Sequence, residues 1–116
     1  MRILICETDH LFLSLLKESL TDSGHEVCGT AEKSDEALLL AAELRLEAAI
    51  VSPSLRDGDT GLAPVAELAD LDVPSVLIAK SMSVVPTETA ARAILRMPFG
   101  LDDLVDALAN LNRPEE

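Results

Sequence analysis

Few side chains here combine a reactive type with a telling position, and most of those lie at or near the ends of apolar runs. Ser52 follows Ala48-Ala49-Ile50-Val51 and precedes Pro53-Ser54-Leu55-Arg56-Asp57-Gly58-Asp59-Thr60-Gly61. A serine hydroxyl can act as a nucleophile, but it needs a neighbouring base and, in one common form, a Gly-x-Ser-x-Gly turn. No such turn surrounds Ser52, and neither His10 nor His25 is placed as its base, so Ser52 reads as a small polar filler. Glu7, Asp9 and Asp57 supply carboxylates that could hold a cation weakly. A solvated acidic rim is the simpler account of them, since hard cations need several well-placed oxygen ligands. Cys6 and Cys28 sit inside apolar runs and read as buried free thiols, with nothing nearby to suggest a disulfide or a metal pair.

The surrounding chain limits what these residues can serve. Its 116 residues suit one compact domain with one core. Hydrophobic residues make up 48% and aromatics only 2%, so the core must be aliphatic. Nine basic side chains stand against 21 acidic ones, a net charge of −12. Binding nucleic acid requires lysines and arginines to neutralise phosphates, so that class is set aside, and an anionic membrane surface is disfavoured for the same reason. The longest apolar stretch, residues 37–51, is interrupted by Glu43, Arg45 and Glu47 and is no membrane span. Free thiols and the lack of a leader-like start lead us to expect a reducing, cytoplasmic setting.

Five apolar runs read as strands: residues 2–6, 26–29, 48–51, 75–79 and 93–96. Between them the pattern changes to helical spacing. Asp9 is placed to cap a first helix whose inner face uses Phe12, Leu15, Leu16 and Leu20, and Gly24 is placed to end it. Ser34 is expected to cap a second helix facing inward through Ala37, Leu38, Ala41, Ala42 and Leu44. A third carries Pro64 in its first turn, with Val65 and Leu68 inward. A weak fourth is expected near residues 87–91. The last repeats Leu101, Leu104, Leu108 and Leu111, with Asp102 and Asp103 favouring its positive N-terminus. Alternating strands and helices with short connections imply a parallel sheet with right-handed crossovers and helices on both faces. Residues 1–112 form a single domain on this reading, and residues 113–116 a short polar tail.

The order of motifs resembles the receiver domains of response regulators in two-component signalling. The resemblance runs through Ile3-Leu4-Ile5-Cys6-Glu7-Thr8-Asp9, Gly24-His25-Glu26-Val27, Ala31-Glu32, the segment from Ile50 to Gly61, Val73-Pro74 and Met97-Pro98-Phe99. It implies the flavodoxin-like fold with strand order 2-1-3-4-5 and a functional site at the carboxyl ends of the strands. It also implies roles that these residues mostly do not keep. The family's acidic pair falls on Glu7 and Thr8, its phosphoacceptor aspartate on Ser52, and its hydroxyl-bearing switch residue on Ala79. Its phosphate-pairing lysine falls on Met97 and its switch aromatic on Ile94. Of these six positions only Glu7 keeps its type.

Aspartyl phosphorylation needs a carboxylate nucleophile and a divalent ion that screens phosphoryl charge. Ser52 cannot form the acyl phosphate, Met97 cannot neutralise a phosphate oxygen, and Ala79 cannot donate to one. The losses are mutually consistent: a lysine facing a pocket stripped of carboxylates would be an unpaired buried charge costing on the order of 3–5 kcal/mol. The expectation is a degenerate receiver with no enzyme activity, no cofactor and no metal site, in which Mg²⁺ binding is lost or weak. It would act as a phosphorylation-independent interaction module. Its partner would be a histidine kinase, a phosphotransferase or another regulator, or a second copy of the chain. Leu13, Val84, Val85, Ile94, Leu101 and Val105 look too apolar for an outer surface and form the candidate interface. The alternatives are a small-molecule or ion switch built on the emptied pocket, and residual phosphorelay through another residue such as Asp57. The isomer of the Met97-Pro98 peptide is left open by the sequence.

Overall fold

In a computed structural model of the chain, residues 1–52, 62–79, 91–96 and 100–111 are described. They form β1 (Arg2–Cys6), α1 (His10–Asp22), β2 (Glu26–Ala31), α2 (Ser34–Glu43), β3 (Ala48–Val51), α3 (Leu62–Asp70), β4 (Ser75–Ala79), β5 (Ala93–Arg96) and α4 (Leu101–Asn110). The five strands are parallel, in the order β2-β1-β3-β4-β5. This is the flavodoxin-like arrangement expected from the alternation. The fourth helix expected near residues 87–91 falls almost wholly outside the described residues.

Because successive strand residues face opposite sides, the sheet divides the core in two. Leu4, Cys6, Ala49, Val51 and Leu77 pack on one side with Ala37 and Ala41 of α2 and Val65 and Leu68 of α3. Ile3, Ile5, Ala48, Ile50, Val76 and Ile78 pack on the other with Leu16 and Leu20 of α1 and Leu104 and Leu108 of α4. Every core member is aliphatic or Cys, as an almost aromatic-free composition requires. Full burial of such a leucine or isoleucine stabilises by about 1.5–3 kcal/mol.

The ends of α1 are set by its own chemistry. The Asp9 carboxylate accepts the Leu11 and Phe12 N–H groups at 3.0 and 3.2 Å, satisfying two otherwise orphaned donors. At the other end Gly24 adopts φ +89°, the His25 N–H donates to the Leu20 carbonyl, and the Gly24 N–H donates to that of Thr21. That paired closure needs a left-handed residue, which glycine supplies without steric cost. The same closure ends α3, but with Asp72 at φ 61°. There the Val73 N–H reaches the Leu68 carbonyl at 2.9 Å, and the Asp72 N–H reaches that of Ala69 at 3.0 Å.

Several expectations are corrected. β2 runs on to Ala31 instead of ending at Gly29, and its register with β1 slips between Ile3 and Leu4, which face Val27 and Gly29. Cys28 is the extra residue of that bulge. At Gly29 a Cβ would lie 3.4 Å from Leu40 Cδ1 and 3.5 Å from Leu44 Cδ1, so α2 lies close over the edge strand. Lys33, not Ser34, is the N-cap of α2, with no side-chain cap bond. Ala42 is exposed, and Leu40 packs against the core instead. On α1, Leu15 is 54% exposed, while Leu13 packs against the core. Leu13 follows Phe12 round the helix toward Leu16 and Leu20, and at 100° per residue that arc excludes Leu15.

Candidate functional site

The carboxyl ends of β1 and β3, neighbours at the centre of the sheet, bring two polar residues into the core's rim. Glu7 leaves β1 with its N–H donating to the Ala31 carbonyl at 3.0 Å, which ties it to the end of β2. Ser52 leaves β3 with its N–H donating to the Cys6 carbonyl at 2.9 Å. Both are buried, at 1% and 0% exposure. Glu7 Oε1 accepts the Asp9 N–H at 3.2 Å. Ser52 Oγ has no hydrogen-bond partner among the described residues. Thr8 lies half-buried between Glu7 and the capping Asp9. Ala79 ends β4 opposite Arg96 of β5, so it too stands at the carboxyl edge. Met97 lies outside the described residues.

Glu7, Thr8, Ser52 and Ala79 are therefore placed at one edge of the sheet, as the strand pattern demanded. Asp9 is not positioned as their companion, because its carboxylate is directed to the first turn of α1 and the residue is exposed. Asp57, the third carboxylate of the expected acidic rim, lies outside the described residues. No group of three metal-capable side chains occurs among the described residues. One contact at this edge was not anticipated. His10 Nε2 meets Glu32 Oε1 at 3.0 Å, linking the first turn of α1 to the segment after β2. The residues are 22 apart in sequence, and no local pattern couples them.

The thiols differ from each other. Cys6 is buried in β1, and desolvation pushes its thiol up to about 12, so it stays protonated and unreactive. Cys28 is free but only half-buried, which corrects the expectation of a buried thiol. Its pKa is raised by burial and then by its contact with Glu26, against a smaller lowering from Arg2. His25 is half-buried, with the Met1 ammonium 3.1 Å from its Nδ1. Burial and that positive charge lower its pKa, against a raising influence of Glu47.

The candidate interface is described only in part. Leu13 faces the core cluster and is not an outward residue of α1. Ile94, paired with Leu77, is half-buried against the α2–α3 side of the core. Val105 of α4 is half-buried, and Leu101 is the first residue of that helix. Val84 and Val85 lie outside the described residues. Among the described residues, the large hydrophobic side chains that do stand exposed are Leu11, Leu15, Leu39 and Leu71. Sequence spacing alone missed Leu11 and Leu15, because several overlapping apolar faces can be drawn on a helix with six leucines and phenylalanines.

Solved structures carry the same fold. The chain is similar to the signal receiver domain of a modulated diguanylate cyclase from Desulfovibrio desulfuricans G20. That match has 26% identity and a TM-score of 0.84 over 94% of this chain and 90% of that one. It is similar to SdrG from Sphingomonas melonis Fr1, with 28% identity and a TM-score of 0.82 over 96% and 95%. It is also similar to the response regulator PhyR from Brucella abortus, with 27% identity and a TM-score of 0.77 over 95% of this chain but 46% of that one. No protein-family model and no curated protein matches the chain. The chain thus has the fold of response-regulator receiver domains and resembles them over almost its whole length. No helix among the described residues is long and apolar enough to cross a membrane.

Proposed function

We infer that this receiver domain works in two-component signalling as a protein–protein interaction module that does not depend on aspartyl phosphorylation. The observation that carries this reading is Ser52. It occupies the carboxyl end of β3, buried beside Cys6 and Glu7, where a phosphoacceptor would need a carboxylate. Thr8 in place of a second acidic residue leaves Glu7 as the one carboxylate of the pair, and one carboxylate holds Mg²⁺ poorly. Ala79 and Met97 complete the loss by sequence. With no nucleophile, a weak ion site and no phosphate-pairing lysine, the domain is not an enzyme and not a phosphate acceptor. Its signal is carried by contact with a protein of the pathway, such as a histidine kinase, a phosphotransferase or another regulator.

Beryllofluoride with Mg²⁺ tests this directly, because that complex needs the carboxylate, the ion and the lysine together. Titrated into the whole chain and followed by amide chemical shifts and melting temperature, it is expected to produce no saturable change. A saturable response would overturn the reading and favour a pocket that still takes phosphoryl-like ligands or ions.

A further inference from the structure

The amino edge of the sheet, opposite the pocket, gathers donor groups that the pocket does not use. β1 lies between β2 and β3, so the residues ahead of β1 are flanked by those ahead of its two neighbours. The pairing of Arg2 with Glu26 sets Met1 beside His25, and the pairing of Ile3 with Ala48 sets Arg2 beside Glu47. Hydrogen bonds fix this arrangement. The Glu26 N–H donates to the Met1 carbonyl at 2.8 Å, and the Glu47 N–H donates to that of Arg2 at 2.8 Å. Glu47 Oε1 accepts the Arg2 N–H at 3.1 Å. His25 is held in addition by the closure of α1, where its own N–H donates to the Leu20 carbonyl at 2.9 Å.

The result is a close approach of two nitrogens. The α-amino nitrogen of Met1 lies 3.1 Å from Nδ1 of His25, and both residues are half-buried. An ammonium proton donated to the imidazole holds the contact together. Without that proton, two nitrogen lone pairs face one small volume. Nitrogens bound to Zn²⁺ lie about 2.0–2.1 Å from it, so a pair 3.1 Å apart subtends about 100° at the ion. That angle falls between a right angle and the tetrahedral one. Glu47 adds a carboxylate whose charge reaches the imidazole. The guanidinium at this edge, that of Arg2, is engaged by Glu26 at 2.8 Å and by the Arg45 carbonyl at 2.7 Å. Amine and imidazole nitrogens with one carboxylate suit Zn²⁺ or its transition-metal neighbours, whereas Mg²⁺ and Ca²⁺ take oxygens. A net charge of −12 draws any cation toward the chain.

We propose that Met1, His25 and Glu47 form a binding site for a divalent transition-metal ion such as Zn²⁺ at the amino edge of the sheet. The ligands are the α-amine of Met1, Nδ1 of His25 and the carboxylate of Glu47, with water completing the coordination. The amine binds without its proton, so the ion displaces that proton to solvent. An ion held there ties together the entries of β1, β2 and β3 and stabilises the folded chain by mass action. The site lies at the opposite end of the strands from Ser52, so it stands or falls separately from the reading of the phosphate pocket.

The test titrates the whole ¹⁵N-labelled chain, first freed of metal, with Zn²⁺ in mildly alkaline buffer. Shift changes are expected to centre on the His25 ring and on the amides of Arg2, Glu26 and Glu47. They should saturate at one ion per chain, with a rise in melting temperature. His25→Gln should weaken binding by at least about tenfold, since losing even a group that only supports a ligand costs about 10–100-fold. Glu47→Gln should weaken it as well. Extending the chain ahead of Met1 turns the amine into a peptide nitrogen and should abolish the response at His25 while leaving the core untouched. His10→Gln and Cys28→Ser should leave binding unchanged. The proposal is overturned if no saturable response appears, or if the shift changes centre on His10, Cys28 or the carboxyl edge. It is equally overturned if the extended chain or His25→Gln binds undiminished.

Discussion

Ser52→Asp restores a carboxylate at the position of the missing nucleophile, and its expected result is destabilisation without phosphorylation. Ser52 is fully buried, one backbone hydrogen bond away from the residue preceding buried Glu7. The new carboxylate would lose its hydration and meet no paired cation, because Thr8 supplies no charge and Met97 replaces the family's lysine. An uncompensated buried charge costs on the order of 3–5 kcal/mol. At about 1.4 kcal/mol per pKa unit, even about 3 kcal/mol lifts the carboxyl by about two units from its ordinary value near 3.9. The sign follows from proton linkage. Between the unfolded and folded pKa values the unfolded chain has already released the proton and the folded chain has not, so stability falls as pH rises. The variant should match the parent below about pH 4, lose stability up to about pH 6, and stay flat above that. Ser52→Ala is the control. It removes a buried hydroxyl that has no hydrogen-bond partner among the described residues, and should be neutral or stabilising by about 1 kcal/mol with no pH dependence of its own. Urea denaturation of parent and both variants across this pH range, with and without Mg²⁺, measures the effect. If Ser52→Asp regains full stability with Mg²⁺, or takes up phosphate from acetyl phosphate, the account of the pocket is wrong.

Two further expectations concern parts of the fold away from the pocket. Asp72 holds φ 61° where α3 closes, a conformation that suits glycine better, so Asp72→Gly should raise stability by about 0.5–1 kcal/mol in urea denaturation. A loss would mean that the Asp72 side chain contributes more than its backbone costs. His25 has a folded-state pKa below its ordinary 6.5, so the unfolded chain binds the proton more readily and stability should fall as pH drops below that ordinary value. His25→Gln should remove that slope, and an unchanged slope in the variant would assign it to other groups.

The strands were legible because a parallel sheet buries both faces and leaves unbroken apolar runs, such as Ala48–Val51, that few other structures tolerate. Helix ends were legible where a side chain or a glycine makes the termination, as at Asp9 and Gly24. Ser34 misled because a hydroxyl before an apolar run resembles a cap, whereas here the chain becomes helical one residue earlier, with Lys33 at the boundary. The orientation of α1 was legible only in part: Phe12, Leu16 and Leu20 face the core as expected, but Leu13 and not Leu15 joins them. Phe12, Leu13, Leu15 and Leu16 span an arc of about 160°, wider than one inward stripe, so spacing cannot choose which of them face the sheet. Packing against Ile3, Ile5 and α4 makes that choice, and it turns Leu13 in and Leu15 out. The placement of Glu7, Thr8, Ser52 and Ala79 at the carboxyl ends of the strands was legible, because the ends of the apolar runs define it. The contact between His10 and Glu32 depends on how two loops meet, which no local spacing encodes.

That local geometry also bears on whether a cation competes for this edge of the sheet. Asp9 is the nearest carboxylate to Glu7 in sequence, yet its Oδ1 accepts two N–H groups of α1. Replacing such a cap costs about 1 kcal/mol. An ion that drew the Asp9 carboxylate inward would have to overcome that cost, and would also disturb the Asp9 N–H contact to Glu7 Oε1. Octahedral Mg²⁺ would then still need oxygens from Thr8 and Ser52, both neutral and weaker ligands than carboxylates. The same short segment that tethers α1 to β1 thus ties up the acidic groups an ion would require. The helix so anchored is also the one that carries Leu11 and Leu15 on its outer face. The β1–α1 junction thus commits to capping a surface helix the carboxylate that an ion at this edge would draw on, which is the arrangement the proposed interaction module would need.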